Sequence, residues 1–440
     1  MIGSHRKKQF MLASAALAVS GLALSALPAQ ALNVRQEVGV TATTIKLGIT
    51  VPVTGIAAPG YNKVAPAMKA YFDYVNANGG VYGRKISLVV KDDGYIPTLA
   101  VAKTKELLLK DKVFAVVGAL GTATHKAVSR SVNLGRQGIP DLFVNTGYSG
   151  FGVKKDYPTT FALLPSYIME AKIMSSYIKE NFSTKKIGII VQDDDFGDDA
   201  IAGFGQAGLT FDSTIPYASG SQSAAKAAEW VTKLKKDGIT NGDVVILFGV
   251  TTATAAALAV AGAYGFKPQW ILGSVGGDAT TIKAATAVPA AVLNGAIGAS
   301  FLPAPTDTSD EYIKFFQGIN TTYNHAVTFD NNVLVGMNSA MMIVQALRAA
   351  GQNPTRKGLI TALETKGSTF ASAGLAPLGY SAKSHVGYTG YWFGKYNLAG
   401  ELKPVDNAYV VYTTDSGTGQ VVKSTYKRPA LPTNGLPSNS

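Results

Sequence analysis

IKLGITVPVTGIAAPGYNKVAPAMKAYFDYVNANGGVYGRKISLVVKDD, residues Ile45 to Asp93, writes out a strand, a polar turn, an amphipathic helix, a glycine turn and a second strand. The first apolar run, 45–51, stops at Pro52-Val53-Thr54-Gly55. A helix follows in which Val64, Met68, Phe72 and Val75 recur at spacings of three and four, so one face is apolar and suited to a sheet. Asn76-Ala77-Asn78-Gly79-Gly80 ends it, because Asn and Gly tolerate the left-handed conformation that closes a helix. Gly83 and Arg84 then lead into the strand 86–90. This is a βαβ unit. Its loop 54–61 lies at the carboxyl end of the first strand, where open α/β sheets take ligands.

The alternation continues outward from that unit. The pattern predicts a helix over 98–110, a strand over 114–117, a helix over 123–134 and a strand over 141–144. A second round runs through strand 187–191, helices 198–207 and 224–236, strand 244–248, helix 252–264 and strand 270–272. Helices over 310–323 and 333–350 follow, and 388–426, rich in Tyr, Gly and Val, reads as antiparallel edge strands. The fold class is therefore α/β, with two doubly wound parallel-sheet lobes. The chain joins them near Leu163 to Ser166 and again near Phe301 to Pro305.

Residues 1–31 read as a signal peptide. Arg6, Lys7 and Lys8 precede an Ala- and Leu-rich segment, and Ala29-Gln30-Ala31 offers the small residues of a cleavage site. Cleavage after Ala31 would leave 409 residues, more than one ordinary core holds, so two lobes are expected. The chain has no cysteine, which excludes disulfides, thiolate metal sites, a cysteine nucleophile and a lipidated cysteine anchor. The formal net charge is +12, and +9 once Arg6, Lys7 and Lys8 are removed. The basic pairs are scattered along the chain rather than clustered, so no nucleic-acid partner is expected.

The combination P-x-T-G at 52–55, Gly60, the helix, N-x-x-G-G-x-x-G at 76–83 and the acidic pair Asp92-Asp93 resembles the leucine/isoleucine/valine-binding family of ABC-transporter solute receptors, with the type I periplasmic binding fold. That resemblance implies a third crossing near 381–388. It divides the chain into lobe 1 (44–163 and 303–385) and lobe 2 (164–302 and 386–426), while the tail 427–440, with Pro429, Pro432 and Pro437, reads as disordered. It also implies a non-enzymatic, monomeric receptor without cofactor, periplasmic or secreted. Its two lobes would close on a small organic ligand, an amino acid or a related carboxylate or amide, and deliver it to an ABC permease and ATPase at the membrane.

Enzyme motifs are missing. His5, His125, His325 and His385 lack metal-site spacing, Ser149 lacks the second glycine of a nucleophile elbow, and no phosphate-binding glycine loop appears. A ligand-sensing module for another membrane partner, or a secreted hydrolase using Ser149, are the alternative functions. The acidic run 192–199 does not fit a calcium loop, and its Asp198 and Asp199 suit a helix start. The loop 117–124 opens a helix whose first amides, around Leu120, Gly121 and Thr122, could hold a carboxylate, although Thr122 could equally be an N-cap.

By the resemblance, Gly147, Tyr148 and Ser149 would meet the ligand's amino and carboxylate groups, Phe196 would face it, and Thr251 would stand where the family often carries an aromatic. Tyr61, Tyr148 and Phe196 would suit a flat or apolar ligand body. Val275 stands where the amino-acid receptors place a glutamate for the ligand ammonium. Either Asp278 takes over that role, or the ligand is not an α-amino acid; a carboxylate without ammonium, an aromatic acid or an amide then stays open.

Overall fold

The structure is a computed structural model that describes residues 37–286 and 290–438. The predicted signal peptide lies outside the described residues. Glu37–Ser440 forms one compact unit.

Five parallel strands make the first sheet, in the order β2-β1-β3-β4-β5: β1 (Thr44–Val51), β2 (Lys85–Asp92), β3 (Ala115–Val117), β4 (Asp141–Val144) and β5 (Thr160–Ala162). Leu47, Ile49 and Val51 of β1 are fully buried because helices cover both faces of a central parallel strand. The crossovers are α1 (Ala58–Tyr61), a single irregular turn, followed by α2 (Val64–Ala77), then α3 (Pro97–Leu109) and α4 (Thr122–Val132). The apolar face read from the sequence is the buried one: Val64, Met68, Phe72 and Val75 are all within the core.

The second sheet holds β6 (Ile187–Gln192), β7 (Ser213–Tyr217), β8 (Val244–Phe248), β9 (Gln269–Leu272) and β10 (Ile297–Ser300), all parallel. Antiparallel strands β11 (Gly390–Tyr396), β13 (Tyr412–Thr413) and β14 (Val422–Lys423) extend one edge, and β12 (Leu402–Pro404) pairs with β11. Around this sheet lie α5 (Tyr167–Asn181), α6 (Asp195–Gln206), α7 (Ala224–Lys236), α8 (Thr251–Ala263), α9 (Ala279–Thr286) and α10 (Ala290–Leu293). The chain returns to the first lobe for α11 (Glu311–Tyr323), α12 (Asn331–Ala349) and α13 (Arg356–Lys366), with α12 packed along α2.

The passages between lobes bond to one another. Leu163 N–H donates to Val144 (3.0 Å), Tyr388 N–H to Leu163 (3.1 Å), and the Trp392 indole to Leu302 (2.8 Å). Sequence patterning missed β5, β7 and β10, runs of three to five residues that carry little periodicity and, for β5 and β10, exist through their neighbours; it also missed the helices α1, α5, α9, α10 and α13.

The tail differs from expectation. Arg428 pairs with Asp310 at 2.6 Å and stacks over the Tyr312 ring at 4.5 Å. Tyr312 donates its hydroxyl to Pro429 (2.9 Å), Tyr74 to Asn434 (2.6 Å) and Tyr71 to Gly435 (2.7 Å). Residues 428–437 thus lie along α2, α11 and α12 as a strap, in which the prolines lack the amide donor a sheet needs and the carbonyls of Pro429, Asn434 and Gly435 accept from the tyrosine row.

Candidate functional site

The carboxyl ends of both sheets face each other, and the loops leaving them are fixed by short side-chain bonds. After β1, Asp92 Oδ1 accepts the amides of Val53 (2.9 Å) and Thr54 (3.2 Å), and Oδ2 the Thr54 hydroxyl (2.6 Å). These bonds hold its carboxyl below its ordinary pKa against the opposing effect of burial. Gly60, at φ +88°, lets the turn approach the opposite lobe: a Cβ there would sit 2.4 Å from Thr281 Oγ1 and 2.8 Å from Asn332 Nδ2. Tyr61 follows, buried, its hydroxyl donating across the cleft to the Val275 carbonyl at 3.3 Å.

Between the lobes lies a cavity of about 70 Å³. Five rings line it, from Tyr61, Tyr95, Tyr167, Phe196 and Phe301, together with Leu120, Leu164, Val275 and Val335. The polar lining is Gly121, Asn145, Ser274, Asp278, Asn331 and Asn332. Tyr167 and Phe196 pack with centroids 4.3 Å apart, and Phe196 meets Phe248 at 5.3 Å. The Asn332 side chain makes no hydrogen bond among the described residues, although the residue is only 8% exposed.

Of the ten residues predicted from sequence, Tyr61, Leu120, Gly121, Phe196 and Asp278 line this cavity. The other five lie outside its lining. The Thr122 hydroxyl bonds Thr146 Oγ1 (2.6 Å), and Gly147 gives its carbonyl to the Tyr167 amide (2.7 Å). The Tyr148 ring sits under Lys126 Nζ (4.6 Å), and Ser149 donates its amide and hydroxyl to Asp199 (2.6 and 3.0 Å). The Thr251 hydroxyl donates to the Val275 carbonyl (3.1 Å).

Sequence reasoning missed Tyr95, Asn145, Tyr167, Phe301, Asn331 and Asn332. Asn145 begins the loop after β4 that also carries Gly147, Tyr148 and Ser149, and Asn331 and Asn332 follow the acid that caps α12, so the signal available was their place at element ends.

Asp278 caps α9: Oδ2 accepts the Thr281 amide at 2.9 Å and also its hydroxyl. Its pKa is raised, first by burial and then by the charge of Asp330, which is itself paired with Lys63. A second acid lies directly behind the wall. Glu170, in the first turn of α5, accepts the Ser274 amide (2.5 Å) and hydroxyl (3.0 Å), and burial pushes its pKa up to about 7. No Lys, Arg or His lines the cavity among the described residues.

At the rim, Lys126 of α4 pairs with Asp195 of α6, next to the Ser149–Asp199 contact. Together with Tyr61–Val275 these place the lobes in direct contact. A larger apolar groove, about 550 Å³, lies at the amino ends of β9 and β10 near Phe266 and Trp270, away from the carboxyl ends that converge here.

The sequence profile described as periplasmic binding protein matches residues 44–401. The chain belongs to the periplasmic binding protein family. It is 25% identical over 306 residues to Leu/Ile/Val-binding protein homolog 7 of Brucella suis biovar 1 (strain 1330), covering 67% of this chain and 71% of that one. Among solved structures it superposes on a substrate-binding periplasmic protein from Ralstonia solanacearum (TM-score 0.73, 22% identity, 81% of this chain and 99% of that one). It also superposes on a branched chain amino acid ABC transporter protein from Thermus thermophilus with bound valine (TM-score 0.72, 18% identity, 86% and 98%). At these identities the superpositions establish the two-lobed fold of this periplasmic binding protein. The strands β13 and β14 and the strap lie beyond the part that the family profile matches.

Proposed function

We propose that this periplasmic binding protein is the extracytoplasmic solute receptor of an ABC importer, a non-enzymatic protein whose lobes close on a small organic ligand and present it to a membrane permease. The observation that carries this reading is the cavity walled by residues of both lobes at the carboxyl ends of both sheets. Family membership supports it, as do relatives named for Leu/Ile/Val binding and for branched-chain amino acid transport. The candidate ligand contacts are Tyr61, Leu120, Gly121, Phe196 and Asp278. Ligand that binds the closed form better shifts the population toward it, the hinge closure that periplasmic binding proteins exemplify.

The Ser149 hydroxyl is spent on Asp199, and among the described residues no His is a hydrogen-bond partner of it. The test is small-angle scattering of residues 32–440 with and without saturating amino acids, amines, amides and carboxylates. The expected outcome is a compaction with one chemical class. A profile unchanged across the whole panel would remove the receptor reading.

A further inference from the structure

We propose that the ligand of this cavity is a compact ammonium ion without a carboxylate. The inference rests on the receptor reading above and deepens it by naming the chemical class. Three observations carry it independently of one another.

The first is the ring lining. Tyr61, Tyr95, Tyr167, Phe196 and Phe301 surround a cavity far smaller than the roughly 300 Å³ at which drug-sized pockets begin. Aromatic faces attract cations, and a desolvated cage of rings is the recurring way to hold an ammonium group.

The second is charge. Among the described residues, Asp278 is the one carboxylate in the lining, and no Lys, Arg or His joins it there. Its Oδ2 is taken by Thr281, while Oδ1 makes no hydrogen bond among the described residues. Asp330 adds negative charge from the start of α12, offset by Lys63, and Glu170 stands behind Ser274. The other titratable groups at Asp278 are the phenols of Tyr61 and Tyr396. A buried carboxylate lacking a counter-ion is costly, and a ligand cation relieves that cost.

The third is the fate of the groups that would hold a carboxylate. The hydroxyls of Thr122 and Ser149 are bonded to Thr146 and Asp199. The two residues of the α4 loop that do line the cavity have committed amides, Leu120 to the Thr50 carbonyl (3.2 Å) and Gly121 to the Asn145 carbonyl (3.3 Å). What remains open among the described residues is the set of side-chain amides of Asn145, Asn331 and Asn332, which can serve a hydroxyl or an N–H on the ligand.

The experiment uses residues 32–440 and three probes by titration calorimetry at pH 7.5: choline, its neutral isostere 3,3-dimethylbutan-1-ol, and valine. Choline is expected to bind at least tenfold more tightly than the isostere, which has the same shape without the charge, and more tightly than valine. Asp278→Asn, which keeps the helix cap because Asn caps as well as Asp, is expected to weaken choline at least tenfold with little change in melting temperature. Acidification from pH 7.5 to 5 weakens choline in the parent by more than in the variant, where Glu170 behind the wall still titrates. Equal binding of choline and the isostere overturns the proposal, and so does tighter binding of valine; in both cases the receptor reading stands. Absence of binding by all three also overturns the ammonium assignment, and the scattering panel then decides the receptor reading separately.

Discussion

Glu170 shows how one residue sets a pH dependence that its sequence position does not announce. Its carboxyl is fully enclosed, with only Ser274 and the nearby Tyr391 to stabilise its charge, and its pKa stands at about 7 against an ordinary 4.5. Because the folded pKa is raised, the stability that Glu170 contributes is complete below about pH 4.5 and is lost as pH rises through 7. Full ionisation costs up to about 3 kcal/mol on this basis. Asp93 and Asp199, both raised to about 6 chiefly by burial, act in the same direction over a lower range. Urea unfolding from pH 5 to 8.5 should therefore show stability falling toward alkaline pH. In Glu170→Gln the fall between pH 6 and 8 should shrink by about 1.3 kcal/mol; an unchanged slope would mean that Glu170 does not carry the titration. Val275 teaches the complementary lesson. Its side chain offers no charge, but its carbonyl accepts from Tyr61 and Thr251, so the position works through its backbone.

At the scale of elements, helix caps account for much of the order around the cleft. Asp194, Asp310 and Asp330 each accept first-turn amides of the helix they precede, which fixes where α6, α11 and α12 begin. The strap 428–437 binds two of these helices, α11 and α12, and also α2, from outside. Its Arg428 joins Asp310, the cap of α11, to the Tyr312 ring and the Ala373 carbonyl. Arg428→Ala should cost about 2 kcal/mol, the usual size for hydrogen bonds to a charged group, read as a lower midpoint in urea at pH 7. Truncation after Lys427 should cost at least as much, since it also strips the carbonyls that Tyr71, Tyr74 and Tyr312 use. A truncated protein with parental stability would show that the strap contributes nothing. Prolines 429, 432 and 437 made this segment read as disordered from sequence, since a Pro-rich stretch has no period of its own. Its order comes from the tyrosine row it meets.

For the molecule as a whole, the contacts across the cleft set the balance between closed and open forms. Lys126→Ala combined with Ser149→Ala removes the Lys126–Asp195 pair and one bond to Asp199. At about 1 kcal/mol each, these changes should raise the open-to-closed ratio by roughly tenfold or more. The chain has no native cysteine, so spin labels on two introduced cysteines, one per lobe, can read the distance distribution directly. A distribution unmoved by the double variant would show that these contacts do not hold the lobes. The sequence by itself determined the α/β class, the two rounds of strand and helix, and the strand-end loops where a ligand belongs. Those features are written in local periodicity and in Gly, Pro and Asn punctuation within windows of about a dozen residues. Only the tertiary structure decided which side chains share one cavity and which spend their polar atoms on the protein itself. Thr122 and Ser149 are indistinguishable from ligand contacts until Thr146 and Asp199 are seen beside them. The deciding partners lie far apart in the chain, 214 residues for Tyr61 and Val275 and 104 for Glu170 and Ser274. No local pattern carries such a pairing, because it is set by tertiary packing, between the lobes for Tyr61 and Val275 and within the second lobe for Glu170 and Ser274.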